Sequence, residues 1–163
     1  MSYVTALLAT SHEKTKFSCG KAMLDNYIQK QAKQDVKAKV SACFILSDDN
    51  KEIKGYYTLS ADSVDRTLIP ENLQNKLPYK NLPVTLLGRL ARDTNYKGQG
   101  IGELLLADAL RRAYQASSSI GAWAVVTDPI NEKARAFYAG FGFITLESGR
   151  MFIPMETIKA SFG

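Results

Sequence analysis

Histidine and cysteine are scarce in this chain: His12 is the only histidine, and Cys19 and Cys43 stand far apart with no Cys-x-x-Cys pair. A four-ligand zinc site and a Cys/His nucleophilic pair therefore lack the residues to build them, and no metal is expected. Both thiols read as reduced, and as packed or mildly exposed, the usual state in a small cytosolic domain. Long apolar runs are missing as well, since none nears the ~18 to 20 residues that a membrane-crossing helix needs. The opening MSYVTALLATSHEK has no basic stretch ahead of an apolar one, so no secretory signal is read and a cytoplasmic protein without a membrane partner is expected. Internal repeats, low-complexity tracts and Pro/Gly/Ser-rich linkers are absent too. Every motif must then sit on the elements of one domain, expected to span 1–163.

What is present is ordinary globular material, with 45% hydrophobic and 23% charged residues in 163 positions, enough for one core. Basic residues outnumber acidic ones 21 to 16, a net charge of +5. That balance favours a polyanionic partner, RNA or a phosphate-rich cofactor, without demanding one.

Apolar spacing orders the chain. Tyr3 to Leu8 reads as a first strand, and Met23, Leu24, Tyr27, Ile28 and Ala32 recur at helical spacing within Gly20 to Lys39, predicting one or two helices. Val40 to Leu46 and Ile53 to Ala61 form a hairpin through the turn cluster Asp48-Asp49-Asn50. Residues 62–83 carry Pro70, Pro78 and Pro83 around a short polar helix, a long connection expected to cover or shape a site. Val84 to Arg92 is a strand that runs into a glycine turn and then the helical ELLLADALRRAYQA. Ala122 to Thr127 is a further strand, Asn131 to Ala139 a short helix, and Phe143 to Leu146 with Met151 to Pro154 the closing strands. The alternation predicts an α/β (α+β) fold with a mixed, mostly antiparallel central sheet of about six to seven strands flanked by about four helices.

The glycine turn carries the chemistry. A helix that starts just after a strand exposes amides without intrahelical partners, and its dipole places partial positive charge there. Glycines at 98, 100 and 102 remove the Cβ atoms that would keep a pyrophosphate away and permit the positive φ of an anion-binding nest. The dinucleotide fingerprint fails because Glu103 stands where it requires glycine, and no Lys-Ser or Lys-Thr follows Gly102 as a Walker A loop requires. Taken alone, glycines in a turn can also be nothing more than a turn.

Lys97-Gly98-Gln99-Gly100-Ile101-Gly102 resembles the acetyl-coenzyme A motif of the GNAT superfamily: Arg or Gln, two residues, Gly, one residue, Gly or Ala. The departure is Lys97, which keeps the charge and lacks the planar fork of arginine. NEKARAFYAGFGF, from Asn131 to Phe143, resembles the second cofactor motif of that superfamily. The resemblance implies the GNAT fold, an N-acetyltransferase and acetyl-CoA as cofactor. It further implies that amides from Gln99 to about Leu104 grip the pyrophosphate, that Leu90, Ala91 and Arg92 pair with the pantetheine arm, and that Asn131 and Phe137 lie near the coenzyme. In the superfamily the tyrosine equivalent to Tyr138 protonates the leaving thiolate; judged without the resemblance, Tyr138 beside Phe137 is a core aromatic.

A narrower resemblance rests on Phe17-Ser18-Cys19-Gly20, Leu24-Asp25-Asn26-Tyr27, Gly55 to Ala61, Leu86 to Ala91 and Phe152 to Met155. These segments are similar to TacT-like toxins of bacterial toxin–antitoxin pairs, which acetylate the α-amine of aminoacyl-tRNA. The family implies a ribbon-helix-helix antitoxin as partner, and it implies that Arg89 belongs to the active-site region. Arg89 stands inside an apolar strand, where a charge is expensive without a partner or a site. Lys30, Lys33 and Lys37 recur on one helical face as candidate tRNA contacts, and Lys39, Arg89, Arg92 and Lys97 extend the basic path; a solvated face is the plain alternative. Such a substrate suits a chain without a central histidine, since an α-amine has a reference pKa near ~8 against ~10.4 for lysine and needs little base. A GNAT enzyme acting on a small amine or a protein N-terminus, and a silent RNA-binding or regulatory module, stay open, as does a homodimer.

Overall fold

The computed structural model describes residues 3–74 and 77–162. The chain divides into two compact units, Met1–Ser60 with Gly88–Arg112 and Ala61–Leu87 with Ala113–Gly163. Its strands are β1 (Ala6–Leu7), β2 (Ala42–Leu46), β3 (Gly55–Asp65), β4 (Asn81–Arg92), β5 (Ala124–Thr127), β6 (Ile144–Thr145) and β7 (Met151–Pro154). They hydrogen-bond in the order β1-β2-β3-β4-β5-β7-β6, a seven-stranded sheet. The helices are α1 (Ala22–Asn26), α2 (Ala32–Lys37), α3 (Glu71–Gln74), α4 (Ile101–Ala116), α5 (Glu132–Gly140) and α6 (Met155–Phe162). Among the described residues no helix is long and apolar enough to cross a membrane.

In the first unit the expected hairpin is present, β2 lying antiparallel to β3 from Ala42↔Leu59 to Leu46↔Gly55. Its turn closes because the Asp49 carboxylate accepts the amides of Lys51 at 2.9 Å and Glu52 at 3.0 Å while Asn50 takes φ +59°. Phe17, Ile28, Ala32, Cys43, Ile45 and Tyr56 form the core. Tyr56 Oη donates to the Leu24 carbonyl at 2.6 Å, pinning α1 to β3. Between α1 and α2 the chain makes a π turn, Tyr27–Gln31, whose register is set by the Ala32 amide donating to the Tyr27 carbonyl.

Helix α4 is anchored in the same unit by a buried polar knot. Asp108, 2% exposed, accepts the Val4 amide at 2.8 Å, the Thr5 hydroxyl at 2.5 Å and the Tyr57 hydroxyl at 2.7 Å. Arg112 Nε donates to Tyr57 Oη at 3.0 Å, and the guanidinium lies over the rings of Tyr3 and Phe44 at 3.9 and 4.1 Å. The Asp108 carboxylate thereby accepts from three donors, the satisfaction that a buried carboxylate requires.

In the second unit β5 runs parallel to β4, from Val84↔Ala124 to Leu87↔Thr127, and antiparallel to β7. Val64, Leu82, Val84, Ala124, Val126 and Phe152 pack its core. Arg150 bonds Asp128 at 2.8 Å and Asp62 at 2.9 Å, holding the start of β7 to β3 and to the end of β5.

Several boundaries differ from expectation. Only Ala6–Leu7 pairs within the first segment. Strand β3 continues to Asp65, so the connection expected over 62–83 shrinks to 66–80, of which residues 75 and 76 lie outside the described set. Ser60 to Asp65 is polar at most positions, and Val64, 6% exposed, is the one large apolar side chain that commits it to the core. Helix α6 was not anticipated, because its two turns follow β7 directly with no turn between; Ile158, fully buried, and Met155, 8% exposed, hold it.

Gly55 marks the closest approach of β3 to α4, where a Cβ would lie 2.7 Å from Leu105 Cδ1 and 2.9 Å from the Ala91 carbonyl oxygen. Since a backbone atom cannot rotate away, Gly55→Ala is expected to lower the unfolding free energy by about 1 to 3 kcal/mol. Urea denaturation measures it, and an unchanged midpoint at equal slope contradicts the packing described.

Candidate functional site

Strand β5 ends at Thr127, opposite Leu87, whereas β4 continues to Arg92. On this tail Ala91 is buried at 4% exposure and Leu90 and Arg92 are half-buried. Asp93 turns the chain: its carboxylate accepts the amides of Ser18 at 3.1 Å and Asn95 at 2.8 Å, capping the tight turn Thr94–Tyr96. Lys97 leaves that turn extended and exposed, and Gly98 and Gly100 follow at φ +80° and +72°. These are left-handed conformations that side chains resist.

The first backbone bond into α4 runs from the Leu104 amide to the Gly100 carbonyl at 3.1 Å. Among the described residues the amides from Gly98 to Glu103 have no hydrogen-bond acceptor. The expected row thus stops one residue short of Leu104. A Cβ built at Gly98 would meet nothing within 4 Å, so the approach to these amides is open. Uncapped donors at the positive end of a sixteen-residue helix fit a diphosphate, which takes several N–H bonds and favours the dipole.

In the same unit Arg89 has found a partner for its charge. Its guanidinium carbon lies 3.5 Å from the centre of the Tyr27 ring, and Tyr27 Oη donates to Asp35 at 2.8 Å. Burial and the bond to Asp35 push the Tyr27 phenol up to about 12. Hydrogen bonds from Gln31 and Tyr27 hold Asp35 below the usual carboxylate range. Lys30, Lys33, Lys37 and Lys39 are all exposed. His12 is no free base: it is 5% exposed, its Nδ1 accepts the Ala9 amide at 2.9 Å, and burial lowers its pKa.

In the second unit α5 carries Phe137 and Tyr138 and is capped by Asn131, whose side-chain oxygen accepts the Ala134 amide at 2.8 Å. Tyr138 is 7% exposed, with Phe137 at 5.5 Å and Phe143 at 5.3 Å between ring centres. Burial raises its phenol pKa, and the Thr127 side chain beside it acts in the opposite sense. Thr127 Oγ1 itself donates to the Leu87 carbonyl at 2.9 Å.

The structure therefore gathers Arg89, Leu90, Ala91, Arg92 and Lys97 to Gly102 in one unit, and Asn131, Phe137 and Tyr138 in the other. Two neighbours escaped sequence reading. Tyr27 looked like one more core position at helical spacing, and Thr127 like the end of an apolar strand, although a threonine closing Ala-Val-Val is itself a signal for a buried hydroxyl. Among the described residues no cluster could hold a metal ion.

A strand tail followed by uncapped amides is an arrangement that can receive a phosphate-bearing molecule. Residues 12–143 match the acetyltransferase (GNAT) family, and the chain belongs to it. It is an N-acetyltransferase, and the cofactor of the family is acetyl-CoA. The chain is 36% identical over 136 residues to a tRNA-acetylating toxin of Mycobacterium tuberculosis (strain ATCC 25618 / H37Rv), covering 83% of this chain and 81% of the relative. It is similar to AtaT complexed with acetyl-methionyl-tRNAfMet, with TM-score 0.91, 30% identity and 98% of each chain covered. A mutant AtaT toxin bound to the C-terminus of the antitoxin AtaR and acetyl-CoA gives TM-score 0.83 at 28% identity, covering 97% of this chain and 96% of that one.

A side chain at Gly100 would have to adopt φ +72° inside the amide row. Gly100→Ala is expected to weaken acetyl-CoA binding about tenfold, the equivalent of roughly 1 to 2 kcal/mol of left-handed strain. Titration calorimetry reads this, and wild-type affinity contradicts the nest.

Proposed function

We propose that this chain acetylates the α-amine of aminoacyl-tRNA and so arrests translation, as the toxin of a toxin–antitoxin pair. The observation that carries the reading is the likeness to AtaT complexed with acetyl-methionyl-tRNAfMet over nearly the whole length of both chains. The chemistry of the chain is consistent with it. An aminoacyl ester lowers its α-amine below the reference value near ~8, so much of it is neutral at physiological pH. A chain whose only imidazole is buried and already bonded through Nδ1 suits such an acceptor better than a lysine side chain.

Bound acetyl-CoA supplies a thioester carbonyl, attacked directly by the amine, and a sulfur leaving group. Lys97 and the amides from Gly98 to Glu103 bind the pyrophosphate, while Leu90, Ala91 and Arg92 align the pantetheine arm through their backbone. The amide near Leu90 polarises the carbonyl. Asn131, through its capping of α5, and Phe137 hold Tyr138 in place; Tyr138 would give its proton to sulfur as the C–S bond breaks, and the proton that the amine sheds as its C–N bond forms would pass through water and restore the phenol. Burial that keeps the phenol protonated is what an acid requires. Arg89 serves the acceptor end, and Lys30, Lys33 and Lys37 contact the tRNA backbone.

A ribbon-helix-helix antitoxin restrains the enzyme in this reading, supported by the AtaT–AtaR likeness. The reaction is cytoplasmic, where charged tRNA is used. The family match runs through both compact units, which supports a single catalytic domain.

Tyr138→Phe is expected to lower turnover by about 10² to 10³ while acetyl-CoA affinity stays near wild type. Induced in a bacterial host, the wild type should halt growth and acetylate charged tRNA by mass spectrometry, and the variant should do neither; arrest by both contradicts the assignment. Because the folded phenol pKa is raised, the acid is lost only as pH climbs through that raised value. The alkaline fall in turnover is therefore expected above the ordinary tyrosine value near ~10, and a fall centred below it removes Tyr138 from the role.

A further inference from the structure

Arg89 is half-buried with its guanidinium carbon 3.5 Å over the centre of the Tyr27 ring, yet among the described residues its guanidinium has no hydrogen-bond acceptor and no ion pair. Stacking occupies the flat face of a guanidinium and leaves its N–H edge free, in a fork that matches a phosphate or carboxylate. Asp35 is near enough to feel the charge of Arg89. Asp35 forms no ion pair with Arg89 among the described residues, and its oxygens face other donors: Oδ2 accepts Tyr27 Oη at 2.8 Å and Oδ1 accepts Gln31 Nε2 at 2.9 Å. The same bond fixes the Tyr27 ring from its outer end, while Tyr56 lies nearly parallel to it at 6.4 Å. Tyr27 also opens the π turn, a local departure from helical register of the kind that recurs at functional sites.

We infer that Tyr27 and Asp35 are positioning residues for Arg89: the ring holds the guanidinium flat, the tethered carboxylate steadies the ring without quenching the cation, and the free N–H edge receives a phosphodiester of the tRNA acceptor. This rests on the aminoacyl-tRNA reading above. Neither Tyr27 nor Asp35 touches reacting atoms, so both act on acceptor binding and leave the chemical step alone.

Steady-state kinetics on two acceptors test it, aminoacyl-tRNA and the methyl ester of the same amino acid, which has the amine and no phosphate. Tyr27→Leu removes the ring face and is expected to raise KM for aminoacyl-tRNA roughly 3- to 30-fold, the range of a stacked cation. Turnover, methyl-ester KM and acetyl-CoA affinity should stay near wild type. Tyr27→Phe keeps the face and should recover most of the loss. In an Arg89→Ala background Tyr27→Leu should add nothing further. Should Tyr27→Leu fail to fold, Asp35→Ala replaces it, with a smaller KM rise that again disappears without Arg89. A rise of equal size with and without Arg89, or one shared by the methyl ester, overturns the positioning role, as does no rise at all. Wild-type chain that acetylates the methyl ester and leaves charged tRNA untouched overturns the proposed function instead, and the phosphodiester contact falls with it.

Discussion

The row of unsatisfied amides between Gly98 and Glu103 is the constraint from which the rest of the structure can be understood. Backbone N–H groups in folded proteins are almost always paired, and a row of them left open at a helix start is tolerated only because water, or an anion, takes their place. Here the opening is built in. Two glycines hold left-handed backbone, no side chain among the described residues reaches back to cap α4, and Asp93 supports the preceding turn by bonding Ser18 and Asn95 instead of the helix. A conventional capping residue would have made a more stable helix and closed the anion site.

Aiming that helix requires a rigid mount, and the first unit provides one. Asp108 ties α4 to the N-terminal segment and to Tyr57 of β3. Gly55 lets β3 come against Leu105 and Ile101 at distances that any side chain would prevent. The helix start therefore inherits its direction from buried contacts well inside the unit, and the catalytic proposals for Arg89 and the amide row draw on one packed core. In the second unit Thr127 plays a comparable part for Tyr138. It is anchored through Leu87, and it meets the phenol whose burial keeps it in the acid form.

How much of this was legible in the sequence follows from how local each signal is. The glycine turn could be read because the removal of a Cβ is chemistry written in a single residue, and its place after an apolar strand was equally plain. Arg89 stood out as a charge in an apolar run. Its partner did not, because Tyr27 fits a helical core pattern and only the fold reveals that its ring also faces a cation. The π turn is invisible to periodicity, since it shifts the register by one residue and leaves the apolar spacing almost intact. Strand β3 outran its expected end because polar residues alternate there with a single buried valine, and α6 was missed because its two turns follow β7 with no break, although Met155, Ile158 and Phe162 recur at helical spacing. Asn131 could have been recognised as a helix cap from its position before an acidic first turn.

Amide-resolved hydrogen exchange with two thioesters, acetyl-CoA and acetyl-pantetheine, tests the central claim most directly, because only the first carries a diphosphate. The account predicts slowed exchange from Gly98 to Glu103 with acetyl-CoA and little change there with acetyl-pantetheine. Equal protection by both, or none by either, would contradict it.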